Sequence, residues 1–353
     1  MNASRSISRL DDVKKVAVLG TGMMGPGIAL RFAKAGYEVA VWGLDEDDLA
    51  RGKRGFSRAL AVLSRRGVLS GSAARATRGR LTLTRDLAGA VSDADFVSEA
   101  VPETLELKQE IFARLDGLTR PDAILSSNTS GLMPSRIAER MRDRSRMLVA
   151  HFWNPAHLCP LVEVCGNPDT TADVKRATMA LLRRIGNRPV LMRVEIPGFI
   201  GNRIMHAMNR EAISLVQKGV CTADEVDEAV LASFGPRFAN LGIMEYLDFS
   251  SLDHIARIQS YLYDDLEKAG GTMPLVAELV RQGRLGAKSG AGLCDWSGKS
   301  LDDVRARRDR EFVRRLREGA RRTAAARKVD RRPTARPVAT RRSPKAARRS
   351  RAR

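Results

Sequence analysis

Short apolar runs rich in β-branched residues recur along the first two hundred residues, and segments with apolar residues at helical spacing separate them. Each run has the length of a buried strand. The eight runs are KKVAVLG (14–20), YEVAVW (37–42), RLTLT (80–84), DFVSEAV (95–101), AILSS (123–127), MLVAHF (147–152), PLVEV (160–164) and RPVLM (188–192). Alternation of buried strands with helices predicts the α/β class, as a Rossmann-type, doubly wound and mostly parallel sheet.

The strand pattern ends at Pro197–Gly198, because neither residue continues regular structure easily. Beyond it the apolar spacing predicts helices over 203–220, 222–234, 243–268 and 273–283. We therefore predict three parts, which are a Rossmann-type cofactor-binding domain over 1–196, an all-helical domain over 197–300 and a basic tail without fixed structure over 301–353.

The net charge of +20 is concentrated at the C-terminal end, where residues 321–353 contain 14 Lys or Arg and a single acid, Asp330. Such a segment could hold nucleic acid or another polyanion through non-specific phosphate contacts. It contains no aromatic side chain that could stack on bases. We favour the simpler interpretation of a solvated tail with no dedicated partner.

The chain has no apolar run near the roughly 20 residues of a membrane span, and MNASRSISRLDDVKK at its start has no apolar signal region. Its four cysteines include no pair at the spacing of a metal site or a redox motif. These features predict reduced thiols, no membrane segment and a cytoplasmic location.

The segment GTGMMG follows the first predicted strand directly and opens a helix pattern, and it fits G-x-G-x-x-G. In that context it predicts a dinucleotide site. Gly20 allows the tight turn, Gly22 lets a pyrophosphate approach the backbone, and Gly25 lets the helix pack on the strand. Met23 and Met24 complete the loop, whose N–H groups are expected to face the phosphates.

The acid that usually ends the second strand and holds the adenosine ribose is absent, since Gly43 occupies that position. Asp45, two residues further, either reaches the ribose hydroxyls or only begins the next helix, where an acid is favoured. The strand end has no arginine to hold a 2′-phosphate, so the predicted cofactor is NAD rather than NADP.

Four later segments contain polar residues that could perform chemistry, and they are SEAVPE (98–103), SSNTSG (126–131), HFWN…LVEV (151–164) and PGFIGNR (197–203). Together with the glycine loop and GAKSGAGLCDW (286–296), in this order, they resemble the L-3-hydroxyacyl-CoA dehydrogenase family. That family includes relatives that oxidise 3-hydroxybutyryl-CoA, carnitine and gulonate. The resemblance extends over roughly 14–297 and implies an NAD-dependent oxidoreductase.

The resemblance implies His151 as the general base and Glu163 as the carboxylate that orients it. Oxidation of a secondary alcohol requires removal of the hydroxyl proton, and an imidazole titrates near neutral pH. Two strands joined by NPAHLCP can bring the two side chains to the same level. Trp153 is predicted to be cleft wall or core, and His157 is not expected to be catalytic.

Further site residues follow from the same resemblance. Ser130 and Asn154 match positions that hydrogen-bond the reacting oxygen or the neighbouring carbonyl, although Ser130 could instead cap the next helix. Asn202 matches a residue that closes the site from the helical side. Glu103 is expected near the nicotinamide ribose. Lys108 is expected near the substrate, with an exposed helix lysine as the alternative.

The substrate implied by the family is an L-3-hydroxyacyl-CoA of the 3-hydroxybutyryl-CoA type, which becomes the 3-ketoacyl-CoA. The segment around Arg237 looks more like the carnitine and gulonate relatives, and this guanidinium could clamp a substrate carboxylate. It could equally pair with Glu245 or Asp248. The family is typically dimeric through its helical domain, and the apolar positions of 203–217 fit either core or interface.

Two other classes of protein fit parts of the sequence. The basic tail is compatible with a non-catalytic polyanion-binding protein, and the fold is compatible with a purely structural role. The full set of polar residues at the predicted site argues against the structural role, because a structural protein has no need of them.

Overall fold

The computed structural model describes residues 13–330, with side chains described as far as residue 319. Eight strands form one sheet in the order β3-β2-β1-β4-β5-β6-β7-β8. All neighbouring strands are parallel except β6 and β7. The strands are β1 (Lys15–Leu19), β2 (Glu38–Trp42), β3 (Leu81–Thr84), β4 (Phe96–Glu99), β5 (Ile124–Ser127), β6 (Met147–Phe152), β7 (Leu161–Gly166) and β8 (Arg188–Leu191). The predicted fold class is confirmed, and every predicted strand is present.

Helices cover the sheet and form the region after it, and a short 3-10 turn follows α6. The helices are α1 (Gly25–Ala35), α2 (Glu46–Arg65), α3 (Gly71–Gly79), α4 (Leu87–Val91), α5 (Leu105–Leu118), α6 (Pro134–Ile137), α7 (Ala172–Arg184), α8 (Gly201–Gln217), α9 (Ala223–Ala232), α10 (Gly235–Phe238), α11 (Ile243–Phe249), α12 (Leu252–Leu262), α13 (Pro274–Arg281) and α14 (Leu301–Asp330). Within the described residues, no helix is long and apolar enough to cross a membrane.

The core lies on both faces of the sheet because successive strand residues point to opposite sides. In β1, Val16 and Val18 belong to a cluster that packs against α1 and α7, whereas Ala17 and Leu19 belong to one that packs against α4 and α5. Phe32 of α1 is fully buried in the first cluster. Both faces are therefore apolar, as a parallel sheet between two helical layers requires.

The reversal between β6 and β7 positions the predicted catalytic pair. The two strands run antiparallel, and His151 is directly opposite Glu163 in the register. Side chains directly opposite on neighbouring antiparallel strands point to the same face and lie close together. Twelve residues of separation in sequence thus become an adjacent pair.

The helical region differs most from its prediction between residues 243 and 268. The single helix predicted over 243–268 is two helices, α11 and α12, and regular structure ends at Leu262. Ser251, between them, has a positive φ of 73°, which no helix residue adopts. The periodicity of apolar residues continues across such a break, so the sequence pattern does not show where the helix is interrupted.

The prediction that the chain loses fixed structure from residue 301 was wrong for the described part of that segment. Residues 301–330 form α14, and Val313 is only 5% exposed in a cluster with Leu30, Phe56 and Leu158. A narrow apolar edge amid many charges is enough to dock this helix on α1 and α2. Residues 331–353, the remainder of the predicted tail, lie outside the described residues.

Candidate active site

The glycine loop between β1 and α1 is shaped for close approach of a ligand. Gly20 has a φ of 105°, and any side chain there would overlap with the backbone of Ala100. Gly25 packs just as tightly against the carbonyl of Gly20. Gly22, in contrast, has no heavy atom within 4 Å of the position that a Cβ would occupy, so its outer side is open. The loop therefore provides the turn, the packing contact and the open backbone that a pyrophosphate needs.

Helix α1 begins at this loop, and no side chain caps the N–H groups of its first turn. Its N-cap, Met24, provides no side-chain acceptor, and its first turn contains no acid. The partial positive charge of the helix end thus remains available to phosphates. Met23 is 80% exposed, and its sulfur lies 3.4 Å from the amide nitrogen of Asn154. The cofactor loop and the segment of the predicted base are in direct contact.

Asp45 has a defined structural role. It is the N-cap of α2, and its side chain accepts a hydrogen bond from the backbone N–H of Asp48 at 2.8 Å. Gly43 directly follows the last residue of β2, and its N–H donates to the carbonyl of Thr84. The structure thus bears out the helix-starting role weighed for Asp45, and a contact between Asp45 and the ribose stays a prediction.

The predicted catalytic pair is formed and buried. His151 Nδ1 lies 2.9 Å from Glu163 Oε2, and the two residues are 5% and 1% exposed. The same carboxylate oxygen accepts a hydrogen bond from Trp153 Nε1 at 2.9 Å. Its second oxygen accepts the backbone N–H groups of Ile200 and Gly201, at 2.9 and 2.8 Å. Four donors therefore converge on one carboxylate.

These donors determine the protonation of the pair. Burial tends to raise the pKa of the Glu163 carboxyl, but hydrogen bonds from His151, Gly201 and Trp153 outweigh it, and the pKa lies below its ordinary value. An ionised carboxylate can only accept, so His151 Nδ1 must carry the proton of that bond. In neutral imidazole this leaves the lone pair of Nε2 as the acceptor for a substrate proton.

Three further predicted residues lie around this pair. Ser130 and Asn154 are exposed, and Asn202 is half-buried. Asn202 Nδ2 donates to the backbone carbonyl of Ser130 at 2.9 Å, across the junction between the sheet and α8. The alternative role of Ser130 as a helix cap is not found, because the N-cap of α6 is Met133. Within residues 13–319 the Ser130 hydroxyl has no hydrogen-bond partner, so it is available to a ligand.

Glu103 and Lys108 support the loop that contains Ser130. The Glu103 carboxylate accepts hydrogen bonds from the Thr129 hydroxyl and, at 2.8 Å, from the backbone N–H of Ser130. Lys108 is 1% exposed, and its Nζ lies 2.7 Å from Glu99 and 3.3 Å from Glu103. Neither prediction for Lys108 fits this position, since a buried ammonium between two carboxylates is not an exposed lysine and does not face substrate. It fixes Glu103, which in turn holds the Ser130 loop.

Arg237 lies in α10 and is exposed. Its Nη1 donates to the Tyr246 hydroxyl at 3.0 Å, and its guanidinium carbon lies 5.4 Å from the centre of the Tyr246 ring. Within residues 13–319 it forms no ion pair with Glu245 or Asp248, so that alternative is not found. The aromatic ring supports the guanidinium from one side and leaves other N–H donors available.

Sequence reasoning missed two residues that shape the site. Trp153 was expected to fill space, yet its indole N–H holds Glu163; the one signal for this was that a buried indole N–H needs an acceptor. Arg31 of α1 is 2% exposed and donates to the carbonyls of Ala156 and Cys159, at 2.9 and 2.8 Å, in the turn that follows Asn154. Its helix position gave no sign of this contact.

Comparisons with known proteins identify the family of this chain. Residues 15–195 match the family described as 3-hydroxyacyl-CoA dehydrogenase, NAD binding domain, and residues 198–296 match the C-terminal domain of 3-hydroxyacyl-CoA dehydrogenase. The glycine loop fits the phosphates of NAD, and the cofactor of the chain is NAD.

Several individual proteins are similar. The 5-formyl-3-hydroxy-2-methylpyridine 4-carboxylate 5-dehydrogenase of Mesorhizobium japonicum is 33% identical over 309 residues, which cover 87% of this chain and 99% of that protein. An L-carnitine dehydrogenase of Bacillus cereus is 38% identical over 232 residues, 66% of this chain and 70% of that protein.

Solved structures give the same picture. That of a 5-formyl-3-hydroxy-2-methylpyridine 4-carboxylic acid 5-dehydrogenase, an NAD⁺-dependent dismutase, has a TM-score of 0.80 at 33% identity, covering 87% of this chain and 99% of its own. That of 3-hydroxybutyryl-CoA dehydrogenase from Escherichia coli has a TM-score of 0.68 at 31% identity, covering 82% of this chain and 61% of its own.

Proposed function

Because the chain belongs to the 3-hydroxyacyl-CoA dehydrogenase family and is an NAD-dependent oxidoreductase, we propose that it oxidises the secondary alcohol of a small carboxylated molecule. The buried His151–Glu163 pair is the observation that supports the chemistry. Similarity to enzymes named for a pyridine carboxylate and for L-carnitine supports a free carboxylate on the substrate.

In this reaction His151 Nε2 accepts the hydroxyl proton of the alcohol. NAD, when bound, supplies the acceptor for the hydride that leaves the same carbon, so the product is a ketone. Glu163 stabilises the imidazolium that forms, and this interaction strengthens as the positive charge develops. Ser130 and Asn154 hydrogen-bond the reacting oxygen or a neighbouring carbonyl, while Asn202 and Glu103 keep the Ser130 loop in place.

Arg237 is the proposed partner of the substrate carboxylate. It is exposed, it has no ion pair among the described residues, and Tyr246 restricts its guanidinium to one plane. A planar guanidinium binds a carboxylate through two parallel hydrogen bonds, which a lysine cannot reproduce.

An L-3-hydroxyacyl-CoA is the second candidate substrate. The similarity to the Escherichia coli 3-hydroxybutyryl-CoA dehydrogenase supports it, as does the order of motifs in the sequence. The chemistry at His151 is the same for both candidates, so only the binding of the remainder of the molecule separates them.

The test is NADH formation on a panel of carnitine, gulonate and other hydroxy acids beside 3-hydroxybutyryl-CoA. We expect turnover of a free acid, and we expect Arg237→Gln to raise KM for that acid by about ten-fold or more with little change in kcat. Arg257→Gln, at another exposed arginine, is the matched control. Turnover of 3-hydroxybutyryl-CoA alone would select the second candidate.

The same assay tests the base. His151→Gln is expected to lower kcat by roughly 10²- to 10⁴-fold, the usual contribution of a general base. NADH binding, followed by fluorescence, should be unchanged because His151 does not belong to the glycine loop. Unchanged turnover in folded His151→Gln protein would refute the proposed chemistry for both substrates.

We also propose a homodimer formed through the helical region. Large apolar side chains remain exposed there, including Ile204, Met205 and Met208 of α8, which are 42%, 38% and 42% exposed. Contiguous apolar surface of this kind is typical of an interface. A cytoplasmic location also stays a prediction.

A further inference from the structure

The turn that joins the sheet to α8 contains a residue with an unusual backbone conformation. Phe199 has a φ of 53°, in the left-handed region, where a bulky side chain is disfavoured by contact with its own backbone. Among the described residues, Ser251 is the only other non-glycine residue with a positive φ, and it is exposed. Phe199 is fully buried, although Pro197 and Ile200 of the same turn are exposed. A side chain poorly suited to this backbone is therefore kept, and it is kept inside the protein.

Glycine occupies two positions beside Phe199 that require it. Gly198 has a φ of 76°, and a Cβ at Gly201 would overlap with the Trp153 ring. A glycine at position 199 would adopt the same turn without steric strain, but it would provide no ring. A disfavoured backbone conformation persists where its surroundings compensate for it, and such residues are concentrated at functional sites. The contact made by the Phe199 side chain is therefore the feature that needs a physical reason.

The ring of Phe199 packs against the imidazole of His151. The two ring centres are 5.6 Å apart, and the ring planes are inclined by 47°. The Phe199 side chain also belongs to a small cluster with Val149 of β6 and Cys165 of β7, which lie opposite each other in the register, as His151 and Glu163 do. In each strand the two positions are two residues apart, so all four side chains point to the same face of the sheet. Phe199 thus packs on the face that contains the predicted catalytic pair.

The same turn directs the backbone that follows it towards Glu163. The N–H groups of Ile200 and Gly201 donate to Glu163 Oε1, at 2.9 and 2.8 Å. Because the dihedral angles of a residue determine where the next peptide N–H points, the left-handed conformation of Phe199 sets the direction of these donors. The backbone of Phe199 therefore supports the carboxylate, and its ring contacts the imidazole.

Contact with the Phe199 ring restricts the orientation of the imidazole. A histidine ring turns readily about χ2, because this torsion has broad minima. The hydrogen bond from Nδ1 to Glu163 fixes one end of the ring, and the contact with Phe199 limits its tilt. The same contact helps to exclude water from His151, which is 5% exposed. A general base is effective only when it is aligned with the proton that it accepts, so this restriction bears directly on the proposed reaction.

We propose that Phe199 is a positioning residue for His151, and that its ring holds the imidazole in the orientation that turns Nε2 towards the substrate hydroxyl. This inference rests on the proposed function, in which His151 is the base. It gives a physical reason for a phenylalanine at a position where glycine would be unstrained. The alternative is a ring that only fills the cluster with Val149 and Cys165.

The test compares the unmodified protein with Phe199→Gly, His151→Gln and the combination of both. NADH formation is measured with whichever of L-carnitine, gulonate and 3-hydroxybutyryl-CoA the unmodified protein oxidises fastest. We expect Phe199→Gly to lower kcat by roughly 10- to 100-fold, as a misplaced catalytic group does, and to leave KM for NAD within about two-fold. When His151→Gln is already present, Phe199→Gly should lower kcat by less than about two-fold, because no imidazole remains to be positioned.

Phe199→Leu secures the test if the glycine variant does not fold. Leucine keeps an apolar side chain in the cluster, so the protein should remain stable, but it is not planar and supports the imidazole less well. We expect kcat to fall by roughly 3- to 10-fold, and this loss should also disappear when it is combined with His151→Gln.

Ser251→Gly is the matched control, because it places glycine at the other left-handed residue, at the break between α11 and α12, and its kcat should equal that of the unmodified protein. An equal fold-loss of kcat with and without His151 would overturn the proposal, since the ring would then act through packing alone. Full activity of the folded Phe199 variants would overturn it as well and leave the proposed function intact. Full activity of His151→Gln protein would instead remove the proposed function and this inference together.

Discussion

Glu163 is the residue on which the site depends. A buried carboxylate is unfavourable unless its oxygens are satisfied, and here four donors satisfy them. Those donors come from the imidazole of His151, the indole of Trp153 and the first turn of α8. One side chain thus orients the imidazole that we propose as the base, and it ties the sheet to the helical region.

Trp153 is predicted to influence the pH dependence of catalysis. Trp153→Phe keeps an aromatic ring but removes one donor from Glu163, whose pKa should then rise and whose charge should act more strongly on the imidazolium. We expect the acid limb of the kcat/KM profile to move to higher pH by roughly half to one unit, the equivalent of one neutral hydrogen bond.

The measurement is the pH profile between pH 5 and 9 at saturating NAD. Loss of packing would lower activity at every pH. Loss of the indole N–H donor should instead shift the acid limb of the profile along the pH axis. If the acid limb does not move in Trp153→Phe protein, the indole only fills space between Gly201 and the sheet.

At the scale of elements, α14 and the turn between β6 and β7 depend on each other. Leu158 of that turn packs in the same cluster as Val313 of α14, and Arg31 fixes the turn from below. The helix thus covers the rear of the segment that contains the predicted base. His157 in this turn has a buried Nε2 without a hydrogen-bond partner among the described residues.

This histidine should make stability depend on pH. Burial lowers the pKa of His157 from 6.5 to about 4. Between these values the unfolded chain binds a proton that the folded chain does not, so stability falls as the pH falls from 6.5 towards 4. Between pH 7 and pH 5 the protonation of His157 is expected to lower the unfolding free energy by up to about 2 kcal/mol, and His157→Leu should abolish this decrease.

Urea denaturation at both pH values measures this difference. His254→Leu, at an exposed histidine, is the matched control and should keep the pH dependence of the unmodified protein. If His157→Leu protein loses as much stability between the two pH values as the unmodified protein, the turn opens to water before the protein unfolds.

At the scale of the whole molecule, the core is distributed unevenly. The sheet has two apolar clusters that are almost fully buried, whereas the helices after Gly198 bury few side chains and expose many apolar ones. A region that cannot bury its own apolar surface needs another surface against which to pack. A second copy of the chain is the proposed one.

The mass in solution tests that assembly. Sedimentation equilibrium of the full chain is expected to give twice the monomer mass of 38.8 kDa. Met208→Glu should shift the equilibrium towards monomer, because it would bury a charge in an apolar interface. Glu106→Gln, a change of charge on α5, is the control. A monomeric unmodified protein at micromolar concentration contradicts the dimer.

The sequence alone was enough to determine the sheet, the glycine loop and the partnership of His151 with Glu163. Strand length, alternation and turn residues act between neighbours in the chain, so their pattern can be read locally. The pairing of His151 with Glu163 was implied by the family resemblance, and the short turn between two strands made it plausible. The break at Ser251 was missed because apolar spacing does not register a single backbone angle.

Only the tertiary structure decided which partners the buried polar groups have. Lys108 lies between two carboxylates, Trp153 donates to Glu163, and α14 docks on α2. Each of these contacts joins segments whose meeting depends on how the whole chain packs. The sequence around a charged or aromatic residue looks the same whether its side chain faces water or a partner. The free energy of burying that side chain differs between these cases, and it is decided only when the surrounding segments are assembled.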